Sequence, residues 1–520
     1  MEDEVRATAK RRKLKHNMED IRPPPMSGGL SRPISPPARR NVGRVAKTID
    51  SPFQLTTIQD LPPALNKDAI SLNDVLGDPL IAECWEFNYL HDIEFLMNAF
   101  DEDVRGLVKV NVVHGFWKSE DQQRQNLEEQ ASKYKNVTLR TAFMPEMFGT
   151  HHSKMLVLLR HDSTAQIIIH TANMIAFDWA NMTQAMWRSP LLPLLPKPAL
   201  PESTQMGRGA KFKVDFLNYL KAYDTKRIIC KPLIEQIVKY DFSEIRAALV
   251  ASVPGKQGIE TDSKTLWGWV GLKEVLKSIP VSNEESEVII QISSIATLGP
   301  TSKWLEGTLF KAMSTSRGSL TKPPSFKIIF PTPDEIRRSL NGYASGRAIH
   351  TKIQSTQQVK QLAYMKPYFC HWAGDGPQHS SSSSTASVRE AGRKRAAPHI
   401  KTFVRFADAQ KTSIDWMLVT SANLSKQAWG EATNMAGDVR ICSYEIGVMV
   451  WPELFGDNVK MVPTFKTDSS TPVAAQADVV VGARLPYDLP LVPYGKDDLP
   501  WCATSSYAEP DWTGQGYKVE

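Results

Sequence analysis

Phe148-Gly149-Thr150-His151-His152-Ser153-Lys154 and, in the second half of the chain, Pro398-His399-Ile400-Lys401 carry one short pattern, His-x-Lys. Each is followed by an apolar run and then by a small-residue turn with an asparagine, His170-Thr171-Ala172-Asn173 in the first half and Thr420-Ser421-Ala422-Asn423 in the second. The separations are alike, 21 residues from His152 to Asn173 and 24 from His399 to Asn423. In extended backbone, residues i and i+2 share a face, so each triplet can aim its imidazole and its ammonium at one small target. Two such halves would enclose two imidazoles, two ammoniums and two amides, an inventory suited to a phosphate. A third triplet, His350-Thr351-Lys352, has no Asn between Lys352 and His399 and is assigned no role.

Outward from these motifs, the runs Leu107 to Val113, Val137 to Phe143, Met155 to Leu159 and Gln166 to Ile169 read as strands. The last two are apolar on both faces, as in a sheet covered by helices. Cys84 to Phe100, Lys211 to Tyr223 and Cys230 to Tyr240 read as helical. The second half repeats the mixture, with strands expected at Ala247 to Val253, Val288 to Ile292, Phe326 to Phe330, Trp416 to Thr420 and Glu445 to Trp451. Strands mixed with helices give an α/β class.

Length and composition set the frame. A chain of 520 residues predicts roughly two to four domains. The expected layout is a disordered, basic and Pro-rich tail over residues 1–68, a first lobe over 69–243 and a second over 244–520, with a flexible Ser-rich insert at 373–396. No apolar run approaches the ~18 residues of a membrane span, and no apolar leader follows the amino terminus, which argues against secretion. Five dispersed cysteines without a CxxC pair suit a reducing compartment and offer no zinc site. The net charge of +6 is concentrated in the tail: residues 1–48 hold 12 Lys/Arg against 5 Asp/Glu, leaving the remainder slightly negative. The cluster Lys10-Arg11-Arg12-Lys13-Leu14-Lys15 reads as a nuclear import signal, so a nuclear location is expected. Affinity of the folded part for nucleic acid must come from local patches.

The chemistry follows from residue types. A neutral imidazole can attack phosphorus, and a second, protonated one can donate to the leaving oxygen and then take a proton from water. Ammoniums and amides aimed at the non-bridging oxygens stabilise the five-coordinate transition state. Such a site needs no metal, and the sequence has no acidic cluster to hold one.

The paired pattern resembles the phospholipase D superfamily, whose two halves each give a His-Lys motif to one site. That superfamily usually has an Asp five residues after the Lys, whereas Leu159 and Phe406 stand there. The pattern without the Asp is similar to that of the tyrosyl-DNA phosphodiesterase family, which acts on DNA 3′ ends. Further matching runs are Asp178-Trp179 with Thr183-Gln184, Ser421-Ala422-Asn423-Leu424-Ser425-Lys426 with Trp429-Gly430, Ser443-Tyr444-Glu445-Ile446-Gly447 and Leu485-Pro486-Tyr487-Asp488-Leu489-Pro490. The resemblance spans about residue 75 to the end.

It implies two similar phospholipase D-like α-β-α lobes forming a pseudo-dimer. It further implies His152 as nucleophile, His399 as general acid and then base, and Lys154, Lys401, Asn173 and Asn423 as phosphate ligands. Glu445 would orient His152 and Gln184 would orient His399. Phe148 resembles a base-stacking aromatic, and Ser293, Ser294, Thr297 and Ser425 resemble hydroxyls contacting DNA phosphates, with Tyr89 and Trp501 as further contacts. The implied substrate is a DNA 3′ end carrying a tyrosine or peptide from topoisomerase I. No cofactor, no metal, no membrane and a monomeric state are expected. Two alternatives stand beside this reading: a phosphodiesterase of the superfamily acting on lipid or unmodified nucleic acid, and a catalytically silent DNA-end-binding protein.

Overall fold

Two mixed sheets with the same wiring organise the molecule. In the first, Ile81–Phe87 lies between Met155–Arg160, antiparallel to it, and Lys109–His114, parallel to it. Val137–Thr141 extends the parallel side, while Thr164–His170 and Ala185–Arg188 extend the antiparallel side. In the second, Glu287–Gln291 takes the central place between Thr402–Phe406, antiparallel, and Ser325–Ile329, parallel. Phe369–Cys370 follows on the parallel side, and Ile414–Thr420 and Glu445–Val450 on the antiparallel side. Six strands therefore correspond one to one, which gives the pseudo-dimer a concrete meaning. The structure is a computed structural model and describes residues 46–197, 205–259, 263–282, 285–373, 388–470 and 477–519.

Period-two alternation sorts the first sheet's side chains into two layers. Met155, Val157 and Leu159 join one core with Phe212, Phe216 and Leu220 of the helix Gly209–Ala222. Leu156 and Leu158 face the other way, onto the helices Leu72–Leu76, Ile93–Asn98 and Gln122–Ser132. The first core runs on without a break into the second sheet, through Val288, Ile290, Phe403 and Val419. Arg44–Glu520 accordingly forms one compact unit.

Three expectations need correction. Cys84 to Phe100 is not one helix: Ile81–Phe87 is a strand and only Ile93–Asn98 is helical. The strand's alternation is hidden by two buried glutamates, Glu83 and Glu86. Glu83 accepts from Trp85, Lys109 and Asn111, and Glu86 pairs with His91 at 2.8 Å.

The proposed tail ends earlier than residue 68. Lys47–Ile49 pairs with Val479–Val481 at the edge of the second sheet, and Phe53–Leu55 pairs with Trp187–Ala185 at the edge of the first. Residues 1–45, including the Lys10–Lys15 cluster, lie outside the described residues. In the Ser-rich insert, 374–387 also lie outside them, but the following stretch is packed rather than exposed. Arg389 exchanges backbone bonds with Leu489, and Ala391, Arg393 and Ala396 are buried. Among the described residues no helix is long and apolar enough to cross a membrane.

Candidate active site

Each His-x-Lys is the lead-in to the second strand of its sheet pattern, with Lys154 preceding Met155 and Lys401 preceding Thr402. Both lead-ins are pinned to the opposite lobe. His152 donates its backbone N–H to Tyr444 O (3.0 Å), and Tyr444 returns one to Thr150 O (3.0 Å). In the mirror position His399 donates to Thr183 O (3.2 Å), which Ile400 also reaches (2.8 Å), and Thr183 donates to Ala397 O (2.9 Å). Gly149 permits this approach, because a Cβ there would lie 1.9 Å from the Cys442 carbonyl oxygen.

The side chains repeat as well. Lys154 donates to the carbonyl of His152 (3.2 Å) and Lys401 to that of His399. Six residues after each asparagine a tryptophan donates its indole N–H back to the asparagine carbonyl, Trp179 to Asn173 at 2.9 Å and Trp429 to Asn423 at 3.0 Å. These two Asn–Trp pairs are an internal echo that the sequence reading passed over.

The orienting groups occupy equivalent register positions. Thr171 donates its N–H to Ala185 O and Ser421 to Ile446 O, so Gln184 and Glu445, each one residue earlier, are counterparts. Each is held by a hydroxyl, Gln184 Oε1 by Thr171 (2.8 Å) and Glu445 Oε2 by Ser421. Each then reaches into the other lobe: His152 Nδ1 lies 2.9 Å from Glu445 Oε2, and His399 Nδ1 lies 2.8 Å from Gln184 Nε2.

Asp178, quoted in the sequence but given no role, completes the second set. Its Oδ2 stands 3.2 Å from His399 Nδ1 and accepts from the Asn173 backbone (2.7 Å) and side chain (3.0 Å). An acidic residue five places after an Asn was the available signal, but Ala428 takes that place in the other half, so the repeat gave no echo.

A cavity of about 620 Å³ receives His152, His399, Asn173, Asn423, Asp178 and Glu445. Asn423 Oδ1 accepts from the backbone N–H groups of Ser293 (3.1 Å) and Ser294 (2.9 Å), which fixes the rotation of its amide. Burial pushes His152 below its ordinary value, with Glu445 opposing and the Lys154 and Lys401 charges adding to the depression. Burial and then the charges of Lys401 and Lys154 push His399 down further. Burial lowers Lys154 to about 8 and Lys401 well below its usual range. Glu445 is pushed up by burial but held below its ordinary value by His152 and Ser421, whereas burial lifts Asp178 to about 6. The pocket therefore favours two neutral imidazoles, weakens the hold of Lys154 and Lys401 on their protons, and keeps Glu445 as a carboxylate behind His152.

Of the other sequence candidates, Phe148, Tyr89, Ser293, Ser294 and Ser425 line this cavity. Phe148 is 77 % exposed, and the Tyr89 ring lies 5.6 Å from that of His152. Thr297 sits outside the lining and accepts from Gln358 Nε2 at 3.1 Å. Trp501 as a substrate contact is corrected: it is 0 % exposed, and its indole donates to Gly346 O and Ile349 O at 3.1 Å each. It stacks on Tyr343 and Tyr507, behind the segment that carries Arg347 and His350. His350, set aside in the sequence, does line the cavity, because its backbone pairs with Ser293 and Ile295. Topology placed it there, and no local pattern announces that.

The model of the tyrosyl-DNA phosphodiesterase family matches residues 52–495. A probable tyrosyl-DNA phosphodiesterase of Schizosaccharomyces pombe is 31 % identical, covering 92 % of this chain and 97 % of the relative. Tyrosyl-DNA phosphodiesterase 1 of Arabidopsis thaliana is 30 % identical over 90 % of this chain and 76 % of its own length. The crystal structure of the yeast tyrosyl-DNA phosphodiesterase superposes with a TM-score of 0.60 at 20 % identity, covering 86 % of this chain and 98 % of that one, and so shares the fold. On these matches the chain belongs to the tyrosyl-DNA phosphodiesterase family of phosphodiester hydrolases.

Proposed function

We propose that this protein hydrolyses the phosphodiester joining a DNA 3′ end to a tyrosine, the adduct of a stalled topoisomerase I, through a phosphohistidine. The observation that carries the reading is the convergence on one cavity of a His-Asn pair from each lobe, with the imidazoles differently partnered.

In the first step the Nε2 lone pair of His152 forms a bond to phosphorus as the bond to the tyrosyl oxygen breaks. His399, as imidazolium, gives its Nε2 proton to that oxygen, and tyrosine leaves. Glu445 accepts from His152 Nδ1 throughout, which keeps the attacking nitrogen unprotonated. In the second step neutral His399 takes a proton from water, the water oxygen bonds to phosphorus, and the bond to His152 breaks. A 3′-phosphate end is released and His399 is again an imidazolium.

Lys154, Lys401, Asn173 and Asn423 serve the equatorial oxygens. The ligand-free pocket holds His399 neutral, and a bound phosphodiester supplies the negative charge that restores its proton. Substrate and acid are thereby coupled. Phe148 takes a base by stacking and Ser293, Ser294 and Ser425 take backbone phosphates, neither of which depends on sequence. The same reading places the protein in the nucleus, acting as a monomer.

The test is His399→Ala with a 3′-phosphotyrosyl oligonucleotide. Tyrosine, with a pKa of ~10, is a tolerable leaving group. The first step then survives in part, the second stalls, and a covalent protein–DNA adduct accumulates that disappears when His152 is also replaced. Absence of the adduct, or its persistence without His152, would overturn the assigned roles.

A further inference from the structure

We infer that a buried imidazole–hydroxyl network behind the first His-x-Lys, made of His151, Ser153, Tyr219 and Tyr223, sets the line along which His152 meets phosphorus. The inference rests on the proposed role of His152 as nucleophile and gives that role four positioning residues.

Alternate residues of extended backbone face opposite ways, so with His152 in the cavity its neighbours His151 and Ser153 point into the core, where both are buried. There they meet Tyr219 and Tyr223, which stand four residues apart at the C-terminal end of the helix Gly209–Ala222 and so share one face of it. Asn88 O lies 2.7 Å from His151 Nδ1, and a carbonyl only accepts, so the ring proton is on Nδ1. His151 Nε2 therefore accepts from the Tyr223 hydroxyl at 3.0 Å. With its proton committed there, the Tyr223 oxygen can only accept, from Ser153 at 3.2 Å or Tyr219 at 3.3 Å, and Ser153 is also bonded to Tyr219. Burial pushes His151 down to about 3 against the opposing bond to Asn88, and it raises both phenols. Every member is thus neutral.

None of the four side chains can turn away without stranding a buried polar group. Rings close the space around them: Tyr444 stacks on Tyr223 at 4.3 Å, and Phe87 meets Tyr223 edge-on at 5.5 Å. The far end of the chain reaches two more parts of the cavity wall. Asn88 donates Nδ2 to Ala172 O (3.2 Å), beside Asn173, and its Oδ1 accepts from the backbone of Tyr89 (2.9 Å). His152, Asn173 and Tyr89 are held in one frame.

The second lobe lacks this arrangement. Pro398 and Ile400 take the places of His151 and Ser153, and Ile400 is buried in the apolar core. Apolar packing fills space behind either lead-in, but hydrogen bonds add direction. Direction is what an atom attacking phosphorus in line requires, since a displacement of ~1 Å can cost ~10²-fold in rate.

The experiment compares Tyr223→Phe with Tyr494→Phe on a 3′-phosphotyrosyl oligonucleotide. Tyr494 is a control of the same kind, a hydroxyl donating to Phe330 O (2.7 Å) on a ring packed against Phe369 at the edge of the second sheet. Both variants should move the urea midpoint by similar amounts. Tyr223→Phe should lower kcat by roughly 10–10²-fold with KM within about twofold, while Tyr494→Phe leaves both unchanged. In a His399→Ala background, rapid quench should show adduct formation slowed by the same factor. Equal kcat in the two variants, or a loss confined to KM, would overturn the inference. Should Tyr223→Phe fail to fold, Tyr219→Phe breaks the same network one step further from His151 and carries the same expectation at a smaller factor. If wild type did not cleave this substrate, the proposed function would fail instead. Calorimetry with orthovanadate, which takes the five-coordinate geometry of the transition state with an imidazole as apical ligand, then still decides on the network. Weaker binding by Tyr223→Phe supports it, and equal affinity in wild type and variant, or binding by neither, rejects it.

Discussion

At His399 two neighbours make opposite demands on one nitrogen. The Gln184 amide N–H at 2.8 Å needs a lone pair on Nδ1, and the Asp178 carboxylate at 3.2 Å needs a proton there. Gln184 cannot reverse its amide without losing the bond from Thr171. In the proposed mechanism both working states of His399, imidazolium acid and neutral base with a free Nε2, carry the proton on Nδ1, so the partner that serves it is Asp178. Asp178→Asn is expected to lower kcat by about 10²–10⁴-fold, within the usual contribution of a general acid–base group. Gln184→Ala should cost less, and rapid-quench kinetics separating the two steps will rank them. A pH profile of kcat/KM provides a second check. In the proposed mechanism Lys154, lowered to about 8 by burial, holds the anionic substrate as an ammonium, so beyond the loss of the His399 proton kcat/KM should show a further fall as pH rises through 8. On the acid side the fall should begin only below the ordinary His range, because burial depresses His152. The His, Lys and Asn sets were legible in sequence because each occurs twice at similar spacing. Asp178 was not, since the pseudo-symmetry breaks at that residue, and His350 enters through backbone pairing that no short pattern encodes.

At the scale of elements, Trp179 and Trp429, which brace Asn173 and Asn423 from behind, and the Trp501 stack are supports. Trp501 holds two carbonyls of the Gly346–Ile349 turn and packs on two tyrosines. Trp501→Ala is expected to cost about 3–5 kcal/mol, the range for a large aromatic removed from a core, read as a shift of the urea midpoint. It should also raise KM, because the turn it supports carries lining residues. Strands that are apolar on both faces were found from the sequence without difficulty. Ile81–Phe87 was missed because its two glutamates are buried with dedicated partners, so the polarity of individual residues misstates the face they occupy. The Asn–Trp spacing of six is present in both halves, yet it crosses from a turn into a short helix and so follows no single period.

For the whole molecule, the segment at 46–55 ties the edge of one sheet to the edge of the other. Phe53 and Leu55 are buried in the process. A chain beginning at Thr56 should lose about 3–6 kcal/mol, at ~1.5–3 kcal/mol per buried side chain, and both sheets should lose hydrogen-exchange protection together. The two-lobed α/β plan was readable from the repeated motifs, but this tie was not, because a Pro-rich neighbourhood masked two three-residue strands. The exchange of Gln184 and Glu445 between the lobes has a larger consequence. In a homodimer of one ancestral lobe, a two-fold axis would give both imidazoles the same neighbour, and only the substrate could tell nucleophile from acid. Joining two lobes in one polypeptide lifts that constraint, since each copy can mutate alone. The division of labour proposed for His152 and His399 is thus something a single gene can inherit and a symmetric pair of identical subunits cannot.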